Sequence, residues 1–130
     1  MKHSYSPYSH LRVGAAIQMD NGKVYTGCNV ENATFAASVC AERTAIAKAV
    51  SQGSRSIKTV VVTSDAKEPL LPCGVCLQTI SEFSKDGKTR IVSIGGNDQK
   101  VAYSLGRLFP SGMKVHKAIR AVTGVGQAGQ

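Results

Sequence analysis

Ile57-Lys58-Thr59-Val60-Val61-Val62-Thr63 is a run of β-branched residues broken by one lysine. Such a run reads as a central strand covered on both faces. Before it, Ser38 to Gln52 reads as a helix. Ser38 can cap it, Val39, Ala45, Ile46, Ala49 and Val50 form an apolar stripe, and Gly53 ends it. After it, Pro72 to Phe83 reads as a second helix with Pro at its start, followed by a strand from Thr89 to Ile94. Upstream, Arg12 to Met19 and Val24 to Asn29 read as paired strands. Asp20-Asn21-Gly22-Lys23 joins them, and Asn-Gly suits a type I′ turn. Downstream come a short strand at Val101 to Tyr103, a helical turn from Ser104 to Phe109 stopped by Pro110, a weak helix from Lys114 to Val122, and a frayed tail over 123–130. Hairpin, helix, strand, helix, strand predicts an α/β fold, a mixed β-sheet core flanked by helices.

The whole chain of 130 residues is one domain's worth of sequence. With 42% hydrophobic and 18% charged residues it is neither a disordered tail nor a fibre. No apolar run approaches the ~18 residues a membrane span needs. Met1-Lys2-His3-Ser4-Tyr5 has no apolar stretch behind its basic residue, so no signal peptide is expected and the expected location is cytoplasmic. The net charge of +8 suits a polyanion, yet it is spread along the chain: 7 basic and 4 acidic residues lie in 1–65, 9 and 4 in 66–130. Without a basic run or aromatic interleaving, nucleic acid is disfavoured as the main partner.

The informative residues are Cys40-Ala41-Glu42 and Pro72-Cys73-Gly74-Val75-Cys76. A lone C-x-x-C is a redox pair, half a structural zinc site, or chance. Here each cysteine group stands at a predicted helix start, where free N–H groups and the macrodipole favour thiolate. Cys73 and Cys76 are spaced i, i+3 and can close on one ion. Cys28, in the strand Gly27-Cys28-Asn29, reads as a buried small apolar residue. Three ligands on zinc leave the fourth position open, the catalytic arrangement, whereas a fourth ligand from Cys28 or a glutamate would make the site purely structural. Both readings stay open on spacing alone. Glu42 is two residues from Cys40, about 200° around an ideal helix, so the two converge only if the ion lies off the helix end.

At these residues the sequence resembles the small cytidine deaminases, the homotetrameric zinc type with three cysteine ligands. The resemblance runs from residue 5 to about 112. It is carried by Ser6-Pro7-Tyr8-Ser9 with Val13-Gly14-Ala15-Ala16, by Gly27-Cys28-Asn29-Val30-Glu31-Asn32-Ala33, by Cys40-Ala41-Glu42-Arg43-Thr44-Ala45, and by Pro72-Cys73-Gly74-Val75-Cys76. It implies an α/β/α sandwich and hydrolytic deamination of cytidine or deoxycytidine in pyrimidine salvage. Cys40, Cys73 and Cys76 would bind Zn²⁺, and Glu42 would carry the proton to N3 and then to the departing amino group. Asn29 and Glu31, alternating on one strand face, would bind the ribose hydroxyls, and the Ala41 backbone would touch the base. Arg43 would draw negative charge from the thiolates, with Gln78 as an outer support. Phe35 fits either the pocket wall or the core. The expected partners are a nucleoside and further copies of the chain, as a homotetramer or a dimer, with no membrane.

Departures from the family pattern concern the substrate. Leu77 stands where an arginine is usual, Leu11 where an aromatic is usual, and Met113 where an aromatic follows Phe109-Pro110. With four residues ahead of Tyr5, the helix usual before the Tyr-x-Pro-Tyr segment is not expected here. These changes keep open a modified cytosine nucleoside, such as a blasticidin-type antibiotic, as substrate. The net charge keeps open a polynucleotide deaminase, and the cysteines by themselves a non-catalytic structural zinc module. The intact Glu42 argues against the module.

Overall fold

The computed structural model describes residues 1–112. The weak helix expected over 114–122, Met113 and the tail lie outside them. Five strands, β1 (Val13–Met19), β2 (Val24–Cys28), β3 (Ile57–Ser64), β4 (Arg90–Ile94) and β5 (Lys100–Ser104), form one sheet in the order β2-β1-β3-β4-β5. β3 and β4 run parallel and the other neighbours antiparallel, so the sheet is mixed. The helices α1 (Ala41–Ser51), α2 (Gly74–Glu82) and α3 (Leu105–Leu108) complete the fold.

The core explains the order. Ile17 and Met19 of β1, Val60 and Val62 of β3 and Ile91 of β4 pack against Ala45, Ile46 and Ala49 of α1, Leu77 and Ile80 of α2 and Leu105 of α3. Strand side chains alternate, so these helices share one face of the sheet. Val61, which points the other way, is half-buried. Among the described residues β3 is therefore fully covered on one face only. Its β-branched residues suit any pleated, partly buried surface, and periodicity could not separate the two cases. No helix among these residues is long and apolar enough to cross a membrane.

Local chemistry shifts two features. In the first hairpin Gly22 has φ +86° but Asn21 does not adopt a positive φ. Gly22 N donates to Met19 O and Met19 N to Lys23 O, both at 2.9 Å. This is a three-residue loop with glycine in the left-handed position rather than a type I′ turn. Helix α1 starts at Ala41, later than expected. Ser38 is extended (φ −63°, ψ 140°), Val39 bridges Val30, and the Ser38 hydroxyl accepts from Asn32 N at 3.1 Å instead of capping α1. A short 3₁₀ turn at Phe35–Ala37 precedes it.

Gly27 on β2 sets how closely α1 seats. A Cβ there would stand 2.6 Å from Ala45 N and 2.7 Å from Ala41 O, both backbone atoms of the helix. Gly27→Ala should therefore force α1 off the sheet and lower stability by about 2 kcal/mol or more. Chemical denaturation checks this, and a midpoint equal to the parent's would contradict the tight seating.

Candidate active site

Two helix starts meet at one end of the sheet. Cys40 is the N-cap of α1 and Cys73 the N-cap of α2, each with extended backbone (φ −70°, ψ 154° and φ −69°, ψ 170°). Cys76 sits one turn into α2 and is fully buried. The three sulfurs lie within 4.8 Å of one another. Thiolates around a tetrahedral zinc at about 2.3 Å stand about 3.8 Å apart, so this donor set fits the ion with small side-chain adjustments. Cys28 is no part of the cluster. It is half-buried on β2, beside a cavity lined by Thr26, Thr44, Lys48 and Val61.

The sulfurs are not equivalent. Hydrogen bonding from Cys76, then from Arg43 and Cys73, pulls the Cys40 thiol down to about 5 against the opposing effect of burial. The same contact with Cys40, with burial, pushes Cys76 up.

Because Cys40 is extended, the angular separation on an ideal helix does not keep Glu42 away. Glu42 is 4% exposed, and the Cys76 side chain lies within hydrogen-bonding reach of its carboxyl. Burial, with the Cys40 thiolate adding repulsion, raises its pKa above the usual carboxylate range. Arg43 Nη2 donates to Ser38 O at 3.0 Å and reaches Cys40 Sγ at 4.0 Å. Burial works against its charge, but the Cys40 and Cys76 sulfurs outweigh that and hold it protonated. Leu77 joins the hydrophobic core, so an arginine there would bury a charge rather than serve the sulfurs. Gln78 is half-buried on α2, two residues beyond Cys76.

A cavity of about 340 Å³ opens on this cluster. Glu42, Cys40, Cys73 and Ala41 form its floor, Leu11, Val13, Val39, Val62, Leu70 and Leu71 its aliphatic walls, and Asn29 and Glu31 a polar side. Asn29 and Glu31 lie beyond the end of β2, yet both reach the cavity. Val30 between them bridges Tyr5 on one side and Val39 on the other, which keeps the segment extended.

What sequence reasoning missed is how these two side chains are already engaged. Asn29 Oδ1 accepts from Val13 N at 3.0 Å and from Ser4 Oγ, while Nδ2 donates to Leu11 O at 2.8 Å. Glu31 Oε1 accepts from Tyr8 N at 3.0 Å and Ser9 N at 3.1 Å, and Oε2 accepts from Ser9 Oγ. Those bonds, Ser9 first, hold Glu31 below the usual carboxylate range. Both residues thus fasten the N-terminal segment over the cavity, a long-range role with no local signal. Phe35 is 75% exposed, neither wall nor core. It meets Tyr8 edge-on, with ring centroids 6.1 Å apart, beside the cavity mouth.

The family model for the cytidine and deoxycytidylate deaminase zinc-binding region matches residues 1–94. The chain belongs to the cytidine deaminase family. It is 50% identical over 80 residues to the cytidine deaminase of Sporosarcina psychrophila, a match covering 62% of this chain and 59% of that protein. Over 102 residues it is 41% identical to the cytidine deaminase of Halalkalibacterium halodurans, covering 78% and 77%. The crystal structure of the Burkholderia pseudomallei cytidine deaminase superposes with a TM-score of 0.81 at 35% identity, covering 86% of this chain and 89% of that one. The mixed sheet with flanking helices is thus the cytidine deaminase fold, and the three-cysteine cluster lies within the family's zinc-binding region.

Proposed function

We propose that the chain hydrolyses cytidine or deoxycytidine to the uridine form and ammonia, the reaction of pyrimidine salvage. The observation that carries this is a buried carboxyl, Glu42, that lines a nucleoside-sized cavity together with Cys40 and Cys73 of a three-sulfur cluster. A purely structural zinc module has no use for a buried carboxyl there.

Cys40, Cys73 and Cys76 hold the zinc. When bound, the zinc would lower the pKa of a water and so supply the nucleophile for hydrolysis at C4. Glu42 would accept the proton that the water gives up and deliver it to N3; it would then take the second proton from the hydroxyl formed at C4, as that oxygen becomes the carbonyl, and give it to the amino group, which leaves as ammonia. Its raised pKa suits one group to act first as base and then as acid. Ala41 opens α1, where backbone N–H groups lack helical partners and can meet the base. The Asn29 amide has used both acceptor positions and one of its two N–H groups, which leaves one donor for a ribose hydroxyl. Glu31 keeps an acceptor position on Oε2 for another. Gln78 supports the ligand-bearing turn of α2. The assembly proposed is a homotetramer, with exposed Tyr8 and Phe35 beside the cavity mouth as the surface that favours self-association; light scattering separates it from a dimer.

The test is ammonia release from cytidine, deoxycytidine, free cytosine and a blasticidin-type nucleoside. Cytidine and deoxycytidine should turn over and free cytosine poorly, because Asn29 and Glu31 reward only the sugar. Activity on the antibiotic alone would move the reading to a modified nucleoside. Zinc-loaded protein that releases no ammonia from any of them would refute deamination.

Arg43→Ala should shift the acidic limb of the kcat/KM profile upward by roughly one pH unit, since a cation 4.0 Å from the Cys40 sulfur no longer withdraws charge from the ligand set. A profile overlaying the parent's in shape, whatever its height, would reduce Arg43 to packing.

A further inference from the structure

The segment 65–73 between β3 and α2 has no helix or strand of its own. It nevertheless supplies Leu70 and Leu71 to the cavity wall and Cys73 to the sulfur cluster. Its shape is imposed from outside. Gly96 N donates to Ala66 O at 2.6 Å, Asn97 N to Lys67 O at 3.2 Å, and Ser93 Oγ to Leu70 O at 2.5 Å. Gly95 lies so close that a Cβ there would stand 2.5 Å from Lys67 O and 2.8 Å from Pro69 N. The end of β4 and the turn after it thus grip the segment along its backbone, while none of these residues lines the cavity.

Ser93 is the grip nearest the site. It is 1% exposed, so its hydroxyl has the Leu70 carbonyl rather than solvent as its partner. Two residues after Leu70 comes Pro72, whose fixed φ removes one of the torsions that could absorb a shift before it reaches Cys73.

We propose that Ser93 is a positioning residue for this site: through the Leu70 carbonyl it sets the Leu70–Leu71 wall and the placement of Cys73. The proposal rests on the reading of the three cysteines as zinc ligands and of the cavity as the nucleoside site.

Ser93→Ala in the zinc-loaded enzyme tests it by two readouts: KM and kcat for cytidine, and the rate of zinc release to a chelator. The expected result is a roughly tenfold rise in KM with kcat within about twofold, and roughly tenfold faster zinc release. Ser93→Thr keeps the hydroxyl and should release zinc near the parent rate, whereas its isostere Ser93→Val should not. That pair decides the matter even if the alanine variant fails to fold. Ile57→Val, at the far end of β3 in the same core, should lower the unfolding temperature and leave both readouts unchanged. Parent-like KM and zinc release in Ser93→Ala, or equal zinc release in the threonine and valine variants, would overturn the proposal. Zinc release needs no turnover, so a parent protein inactive on cytosine nucleosides would refute the substrate reading and still leave the release rates to judge Ser93.

Discussion

Glu42→Gln should retain zinc and fold but lose turnover by about three orders of magnitude or more, because the amide can neither accept the proton from water nor return one to the leaving amine. The substitution is nearly isosteric, and retained zinc and fold would separate lost proton transfer from a disturbance of this buried site. Stability should move the other way. Burial raises the folded-state pKa of Glu42 above its ordinary 4.5, so between that value and the raised one the folded state binds the extra proton, and stability falls as pH rises through this window. Glutamine carries no such penalty. At pH 7 the variant should unfold at a temperature equal to or above the parent's, and this advantage should vanish below pH 4.5. Metal analysis, steady-state kinetics and thermal unfolding against pH check the three parts. A variant with near-parent kcat would remove Glu42 from the chemistry.

Cys73→Ser should lower zinc occupancy at limiting metal by more than about tenfold, and activity with it. A hydroxyl stays protonated near neutrality and is a poor replacement for a thiolate on this ion. Cys73 is exposed, so its replacement leaves the core alone, and loss of metal with an intact fold is the expected signature. Cys40→Ser and Cys76→Ser should also lose metal, but Cys76 is fully buried and its replacement should cost stability as well. Cys28→Ser supplies the control, because Cys28 lies outside the sulfur cluster and should leave zinc content unchanged. A Cys28 requirement for zinc would point to a closed structural site instead.

The legible parts of this fold were local. The hairpin, the two helices and the strands at 57–64 and 90–94 come within a few residues of where composition and periodicity put them. Their boundaries moved where a side chain found a partner elsewhere, as when Ser38 met Asn32 N and left Cys40 as the N-cap of α1. That shift mattered for the site. A cysteine on the helix proper would diverge from Glu42, whereas an extended one lets the carboxyl and the sulfurs converge.

The sequence by itself determined the three cysteines and the glutamate, their places at helix starts and the order of elements around them, because capping, turns and amphipathic spacing act over a few residues. Only the tertiary structure decided that Glu42 is buried enough to hold its proton unusually tightly. It also decided that Asn29 and Glu31 fasten residues 4–13 over the cavity, and that residues 93–97 grip the loop carrying Cys73. Those contacts join positions up to 30 residues apart in sequence, such as Gly96 and Ala66. They are made by single hydrogen bonds and a close-set glycine, which leave no periodic trace in the chain and exist only once the sheet has brought its strand ends together.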